Sequence, residues 1–222
     1  MEEGVYVLRP APLPAGLLEA GFTGRALRGD ARGPLGDRAT VRPEQVHGNA
    51  LRRVDAPGII PSCDALRTRM PGLLLTVRTA DCVPLILCAP GEGIAVVHAG
   101  WRGLLARVLE EALATFDHPA RVTVLAGPHI GACCYEVGEE VAAGFPSGSL
   151  RRAGGSRPRL DLGADARRRL EEGGVPPDRI DVAPICTRCH QHLLPSHRGS
   201  GGRAGRIVAF ASGARPVHSH AA

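Results

Sequence analysis

The stretch Thr79-Ala80-Asp81-Cys82-Val83-Pro84-Leu85-Ile86-Leu87-Cys88, then Gly91-Glu92-Gly93, then Ile94-Ala95-Val96-Val97-His98-Ala99-Gly100-Trp101-Arg102-Gly103, decides how this chain folds. Two apolar runs of strand length flank a Gly-bounded turn, which reads as consecutive β-strands. Cys82 opens the first run and His98 closes the second, so a hairpin-like return brings thiol and imidazole to one sheet edge.

Upstream, residues 73–77 form another apolar run, and Gln45-Val46-His47-Gly48 offers a third ligand-type side chain. Residues 5–8 predict a short strand, 17–24 a helix end running into a turn, and 29–43 a loop. Downstream, Leu104, Leu105, Val108, Leu109, Ala112, Leu113 and Phe116 recur at three- and four-residue steps, predicting one helix over 103–116. Strands are expected over 122–126, 179–185 and 207–211, with a short helix over 139–145. Residues 146–159 and 198–206 read as surface loops. Residues 161–172 predict a helix capped by Asp161 and ended by Gly173-Gly174. Strands and helices intermix without strict βαβ order, which points to an α+β fold. No linker or internal repeat divides residues 1–222, so a single domain is expected, with a flexible tail over 212–222.

The chain has 222 residues, enough for one substantial core. Aromatic content is only 3%, so that core must be aliphatic. Every basic side chain is Arg, which removes the Lys that a Walker-type phosphate loop needs. A net charge of +5 suits an anionic ligand, but the Arg residues are scattered among acids and stacking aromatics are scarce, so no nucleic-acid partner is expected. No apolar stretch is long enough to span a membrane. The acidic start Met1-Glu2-Glu3 has no apolar segment behind it, so a cytoplasmic location is expected and the seven Cys favour metal binding or burial over disulfides. No obligate protein partner is indicated.

His47, Cys82 and His98 make a two-His, one-Cys set, and catalytic zinc commonly takes three such ligands with a fourth position open. Each sits beside Gly48, Pro84 or Gly100, at a turn that helps ligands converge. Asp81 is placed to orient an imidazole. Spacing alone leaves the reading open, because lone His and buried Cys residues are usually structural. A closed structural site would need a fourth ligand, for which His129 and Cys88 stand nearest by motif. The turn Gly100-Trp101-Arg102-Gly103 combines small residues, a helix start and a guanidinium; it reads either as an anion cradle or as a plain tight turn.

Cys186-Thr187-Arg188-Cys189-His190 fits a haem-attachment pattern, a dithiol pair, or a second zinc site with His190 or His192; burial at a strand end is the plainer reading. Cys133-Cys134 reads as packing. His190-Gln191-His192 and His218-Ser219-His220 are His-x-His pairs, too few for a multicopper oxidase.

Taken together, Gln45-Val46-His47-Gly48, Ala80-Asp81-Cys82-Val83-Pro84, His98-Ala99-Gly100-Trp101-Arg102-Gly103, Gly127-Pro128-His129-Ile130-Gly131 with Tyr135-Glu136-Val137-Gly138, and Cys186-Thr187 resemble the YfiH-like, or laccase-domain, family. The resemblance implies a layered α/β/β/α domain with zinc on His47, Cys82 and His98. It implies phosphorolysis of adenosine, inosine, guanosine or methylthioadenosine, with adenosine deamination besides; the partners would be a purine nucleoside and phosphate. A zinc-dependent amidase acting on peptidoglycan precursors and a copper-dependent polyphenol oxidase are the alternatives, copper being the lesser choice of metal. In this reading Cys82, His98 and Arg102 serve catalysis, and Arg25, Gly100, Gly103, Arg198 and Arg206 bind substrate or phosphate. The chain departs from the family pattern in a short 25–44 region and in Ser196-His197-Arg198-Gly199, where the family has Ser-Tyr-Arg-Arg.

Overall fold

Along Gly93–Ala99 the side chains alternate between two cores: Ile94 and Val96 face one, Ala95, Val97 and Ala99 the other. Both sets are buried, so this strand is covered on both sides, as its nearly unbroken apolar sequence requires. Layers on either side of one central sheet follow from that.

A computed structural model describes residues 7–24, 35, 38–152 and 157–214. Its strands are β1 (Val7–Leu8), β2 (Leu17–Thr23), β3 (Thr40–Pro43), β4 (Leu51–Arg53), β5 (Gly58–Ile60), β6 (Ala65–Thr68), β7 (Leu74–Thr79), β8 (Val83–Ala89), β9 (Gly93–Ala99), β10 (Thr123–Ala126), β11 (Leu150–Arg151), β12 (Arg159–Leu160), β13 (Ile180–Val182) and β14 (Ile207–Gly213). The helices are α1 (Trp101–Leu105), α2 (Val108–Leu113), α3 (Glu139–Ala142), α4 (Leu162–Glu172) and α5 (His197–Ser200). One six-stranded sheet runs β1-β2-β14-β7-β3-β5 and a second β13-β10-β8-β9-β6-β4. Phe22, Val41, Leu66, Leu75, Val77, Ile86, Val96 and Ile207 pack between the sheets. Leu85, Leu87, Val97, Leu104, Leu109, Leu162 and Leu170 fill the space between the second sheet and the helices. The class is α+β, as expected.

The apolar runs fold as read: β8 and β9 are antiparallel, with Pro84 opposite His98. Asp161 caps α4 by accepting the Ala164 N–H at 3.0 Å. Elsewhere the structure corrects the sequence reading. Residues 17–23 are strand rather than helix end, held between β1 and β14; Gly21 is required there because a Cβ would lie 2.8 Å from the Phe210 ring. The single helix over 103–116 is two, broken at Arg107, whose φ of 70° is left-handed. Leu105 is exposed, while the rest of the predicted stripe is buried. The expected loop over 29–43 ends in β3, that over 146–159 contains β11 and β12, and that over 198–206 overlaps the single turn α5. The strand expected over 179–185 is only Ile180–Val182. Ser212 and Gly213, placed in the tail, belong to β14. Among the described residues no helix is long and apolar enough to cross a membrane.

Candidate metal and anion site

The register of β8 and β9 sets the site. Val83 lies opposite Ala99, so Cys82 and Gly100 meet just past the paired ends. A Cβ at Gly100 would stand 2.9 Å from Cys82 Sγ and 3.4 Å from His47 Cδ2, so only glycine leaves room for this approach. At Gly103 the same atom would stand 3.1 Å from the Gly48 carbonyl, which seats the His47 turn against α1. One ligand atom each from His47, Cys82 and His98 then falls within 4.8 Å of the others. The two imidazoles meet edge to face, with ring centres 4.7 Å apart.

Asp64, which precedes β6, organises these ligands. Its buried carboxylate lies 2.7 Å from His98 Nδ1 and accepts N–H bonds from Val46 (3.2 Å), His47 (2.9 Å) and Gly48 (2.7 Å). Contact with Asp64 at Nδ1 leaves Nε2 as the His98 ligand atom. The amide bonds hold His47 at a φ of 61°, a left-handed conformation costing about 1–2 kcal/mol in a non-glycine residue. Each charge-assisted hydrogen bond contributes about 1.5–3 kcal/mol, enough to offset that strain. Burial opposes ionisation of Asp64, but the His98 contact and the Gly48 and His47 amides hold its carboxyl below the usual range.

Cys82 and His98 polarise one another. Burial raises the thiol, yet hydrogen bonds from His47 and His98 bring Cys82 down to about 7. Burial lowers the imidazole, yet Asp64 and Cys82 lift His98 to about 9. A thiolate beside two imidazoles is a donor set for a soft or borderline divalent ion. Neither expected fourth ligand joins it. His129 Nδ1 contacts the Gly127 carbonyl at 2.9 Å, and Cys88 Sγ faces the Ala15 and Thr123 carbonyls.

Asp81 does not orient an imidazole as expected. At a φ of 88°, its carboxylate accepts the Thr187 hydroxyl at 2.6 Å and the Arg198 N–H at 2.7 Å. It thereby ties the strand start carrying Cys82 to two segments far along the chain.

The ligands sit in a cleft of about 820 Å3. Arg42, Arg78, Arg102, Arg198 and Arg206 line it, against Glu44 and Asp81 as its acids. Arg78 Nε is buried and unpartnered. Burial, then the Arg206 and Arg42 guanidiniums, push Arg78 below the ordinary arginine value. Gln45 secures Arg78 by its backbone, donating to the carbonyl at 2.8 Å and accepting the N–H at 2.9 Å. Trp101 and Tyr135 supply the aromatic lining. The Arg102 guanidinium lies 4.5 Å from the Trp101 ring centre, and that of Arg198 5.1 Å from Tyr135. Burial and then the Cys82 charge push the Tyr135 hydroxyl up to about 12, so it stays a donor at neutral pH.

The sequence-predicted His47, Cys82, His98, Arg102, Arg198 and Arg206 therefore share one cleft, with Gly100 and Gly103 shaping it. Arg25 lies outside the described residues. Sequence reading missed Asp64, Arg42, Arg78 and the Gln45–Arg78 pairing. The available signal was an acid entering the apolar run at 63–66 and arginines at the ends of β3 and β7. Apart from this cleft, Cys133, Cys134, Cys186 and Cys189 bring their four sulfurs within 4.8 Å of one another. None of the four is buried, which corrects the packing reading of Cys133-Cys134 and the burial reading of Cys186 and Cys189; His190 and His192, weighed as partners in a second site, are not in the group.

A family model described as multi-copper polyphenol oxidoreductase laccase matches residues 28–213. The purine nucleoside phosphorylase YlmD of Geobacillus stearothermophilus is 35% identical over 190 residues, 75% of this chain and 69% of the relative. The purine nucleoside phosphorylase YfiH of Escherichia coli is 35% identical over 175 residues, 75% of this chain and 71% of the relative. The crystal structure of the hypothetical protein YfiH of Bacillus licheniformis superposes with a TM-score of 0.82 at 23% identity, covering 92% of this chain and 98% of the other, which establishes a shared fold.

Proposed function

The chain belongs to the multi-copper polyphenol oxidoreductase laccase family, and from that membership and the cleft we propose that it is a zinc-dependent purine nucleoside phosphorylase. The observation that carries this reading is the cation excess beside the ligand set. Arg42, Arg78 and Arg206 crowd one wall, and among the described residues none of them forms an ion pair. Guanidiniums in that arrangement suit an oxyanion such as phosphate.

His47, Cys82 and His98 fit zinc: one thiolate and two imidazoles converge, a carboxylate backs His98, and among the described residues no fourth protein ligand closes the group. A zinc ion held there would supply Lewis acidity and acidify a bound water. In this reading Cys82 is a ligand rather than a nucleophile. Arg42, Arg78 and Arg206 bind phosphate, with Arg102 and Arg198 at the flanks. Trp101 and Tyr135 offer surfaces for the purine, and the Tyr135 hydroxyl a hydrogen bond. The reaction breaks the bond between ribose C1′ and the purine nitrogen, forms one from C1′ to a phosphate oxygen, and releases the purine with a proton. Adenosine, inosine, guanosine and methylthioadenosine are the proposed substrates, with adenosine deamination as a second activity. A cytoplasmic setting suits seven free thiols.

Multicopper oxidation is the weaker reading. It needs several His clusters, and among the described residues only two ligand groups converge, one of them all-cysteine.

The test is chromatography of adenosine incubated with zinc-loaded protein, with and without phosphate. Adenine formed only with phosphate is the expected result, and inosine in both tubes would establish deamination. Adenosine surviving both would overturn the proposal.

A further inference from the structure

Cys133 and Cys134 sit on one turn and Cys186 and Cys189 on another, and the fold presses the two turns together. The Thr187 N–H donates to the His129 carbonyl at 2.9 Å, a bridge that sets Cys186 beside the start of the first turn. The Gly131 N–H donates to Cys186 Sγ at 3.3 Å. A Cβ at Gly131 would lie 3.3 Å from Cys133 Sγ and 3.4 Å from Cys186 Cβ, so glycine allows the contact. Cys189 Sγ then stands 3.6 Å from Cys133 Sγ and 3.5 Å from Cys134 Sγ.

These separations discriminate between chemistries. A disulfide needs sulfurs about 2.05 Å apart, and one Cys189 sulfur cannot serve two neighbours at once. Four sulfurs about 2.3 Å from a central zinc lie about 3.8 Å apart at the corners of a tetrahedron. The observed spacings match the second case. The residues also have the pattern of a closed site: four thiols, a Cys-x-x-Cys turn, and no imidazole or carboxylate. His190 Nδ1 instead faces the Cys186 carbonyl at 3.0 Å.

We propose that Cys133, Cys134, Cys186 and Cys189 bind one zinc ion as four thiolates, forming a structural site distinct from the His47–Cys82–His98 group. Binding exchanges four S–H bonds for four S–Zn bonds and releases four protons to solvent, with no change in oxidation state. Its role follows from what each turn carries. Tyr135, which lines the cleft, directly follows Cys134; Thr187, bonded to Asp81, directly follows Cys186. Zinc at the cluster ties Tyr135, on the cleft wall, to the segment that holds the wall residue Asp81 through Thr187.

The test is metal content after loading the full chain with zinc and removing the excess. The expected result is about two zinc ions per unaltered chain and about one in each of Cys82→Ala and Cys186→Ser/Cys189→Ser, one ion per site. In Cys82→Ala, the four cluster thiols should resist an aromatic disulfide reagent until a chelator is added. Should the double variant fail to fold, cobalt in Cys82→Ala decides: intense thiolate-to-cobalt bands with tetrahedral d–d bands support the site. One zinc per unaltered chain, lost entirely in Cys82→Ala, would overturn the proposal. So would disulfides among these four cysteines in freshly purified protein. Neither result bears on phosphorolysis at the other group.

Discussion

Cys82 and His98 converge at the paired ends of two buried strands and His47 joins them from a turn, whereas Cys133, Cys134, Cys186 and Cys189 converge from two turns alone. The first group has three ligands, a carboxylate behind one of them, and an arginine-lined cleft in front. The second has four sulfurs, with no imidazole or carboxylate in the group. Strand ends and one turn pinned to Asp64 present the first group to the cleft, while turns alone gather the second. Ligand number and surroundings, rather than the presence of cysteine, separate the two uses.

Substitutions can break that contrast, and the largest effect is expected at Cys82. Cys82→Ala should remove the metal from the first group and lower turnover about a hundredfold or more, since a catalytic metal supplies several kcal/mol of transition-state stabilisation. Full turnover in Cys82→Ala that has lost the metal of the first group, measured by metal analysis and rate together, would erase the distinction. Asp64→Asn comes next. It keeps the shape but weakens the contact to His98, so zinc affinity at the first group should fall about ten- to a hundredfold, read by chelator competition. Arg78→Ala should raise the KM for phosphate about tenfold, the loss of one charge-assisted hydrogen bond, with smaller change in deamination. Equal loss in both activities would make Arg78 structural. The smallest effect on turnover is expected from Cys186→Ser/Cys189→Ser. The Tm should drop by several degrees, at about 2–4 °C per kcal/mol for a chain of this size, while kcat stays within a few-fold.

The first group was legible in part: Cys82 and His98 are local to one strand pair, while His47, far upstream, was joined to them by the family resemblance. Cys82 and His98 border apolar runs whose pairing follows from one short turn, and Gly100 and Gly103 mark the close approach. Asp64 was not legible, because it acts on residues 46–48 and on His98 through bonds that only the fold creates. The four-sulfur group was hidden for the same reason: each pair of cysteines has a plain local explanation, and about fifty residues separate the pairs. β2 was misread because Leu17-Leu18-Glu19-Ala20-Gly21-Phe22-Thr23 does not alternate cleanly, and its strand state depends on β14 at the far end of the chain. The helix break at Arg107 leaves the apolar spacing almost intact, so periodicity did not reveal it.

The carboxylate of Asp64 has a consequence that an isotope would register. Val46 and His47 are exposed, and amides on such a turn ordinarily trade their hydrogens for solvent deuterium within moments. Here the Val46, His47 and Gly48 amides end on one buried carboxylate. They should label at the slow pace of the sheet beneath them, marking the turn as part of the core in kinetic terms although it lies at the surface.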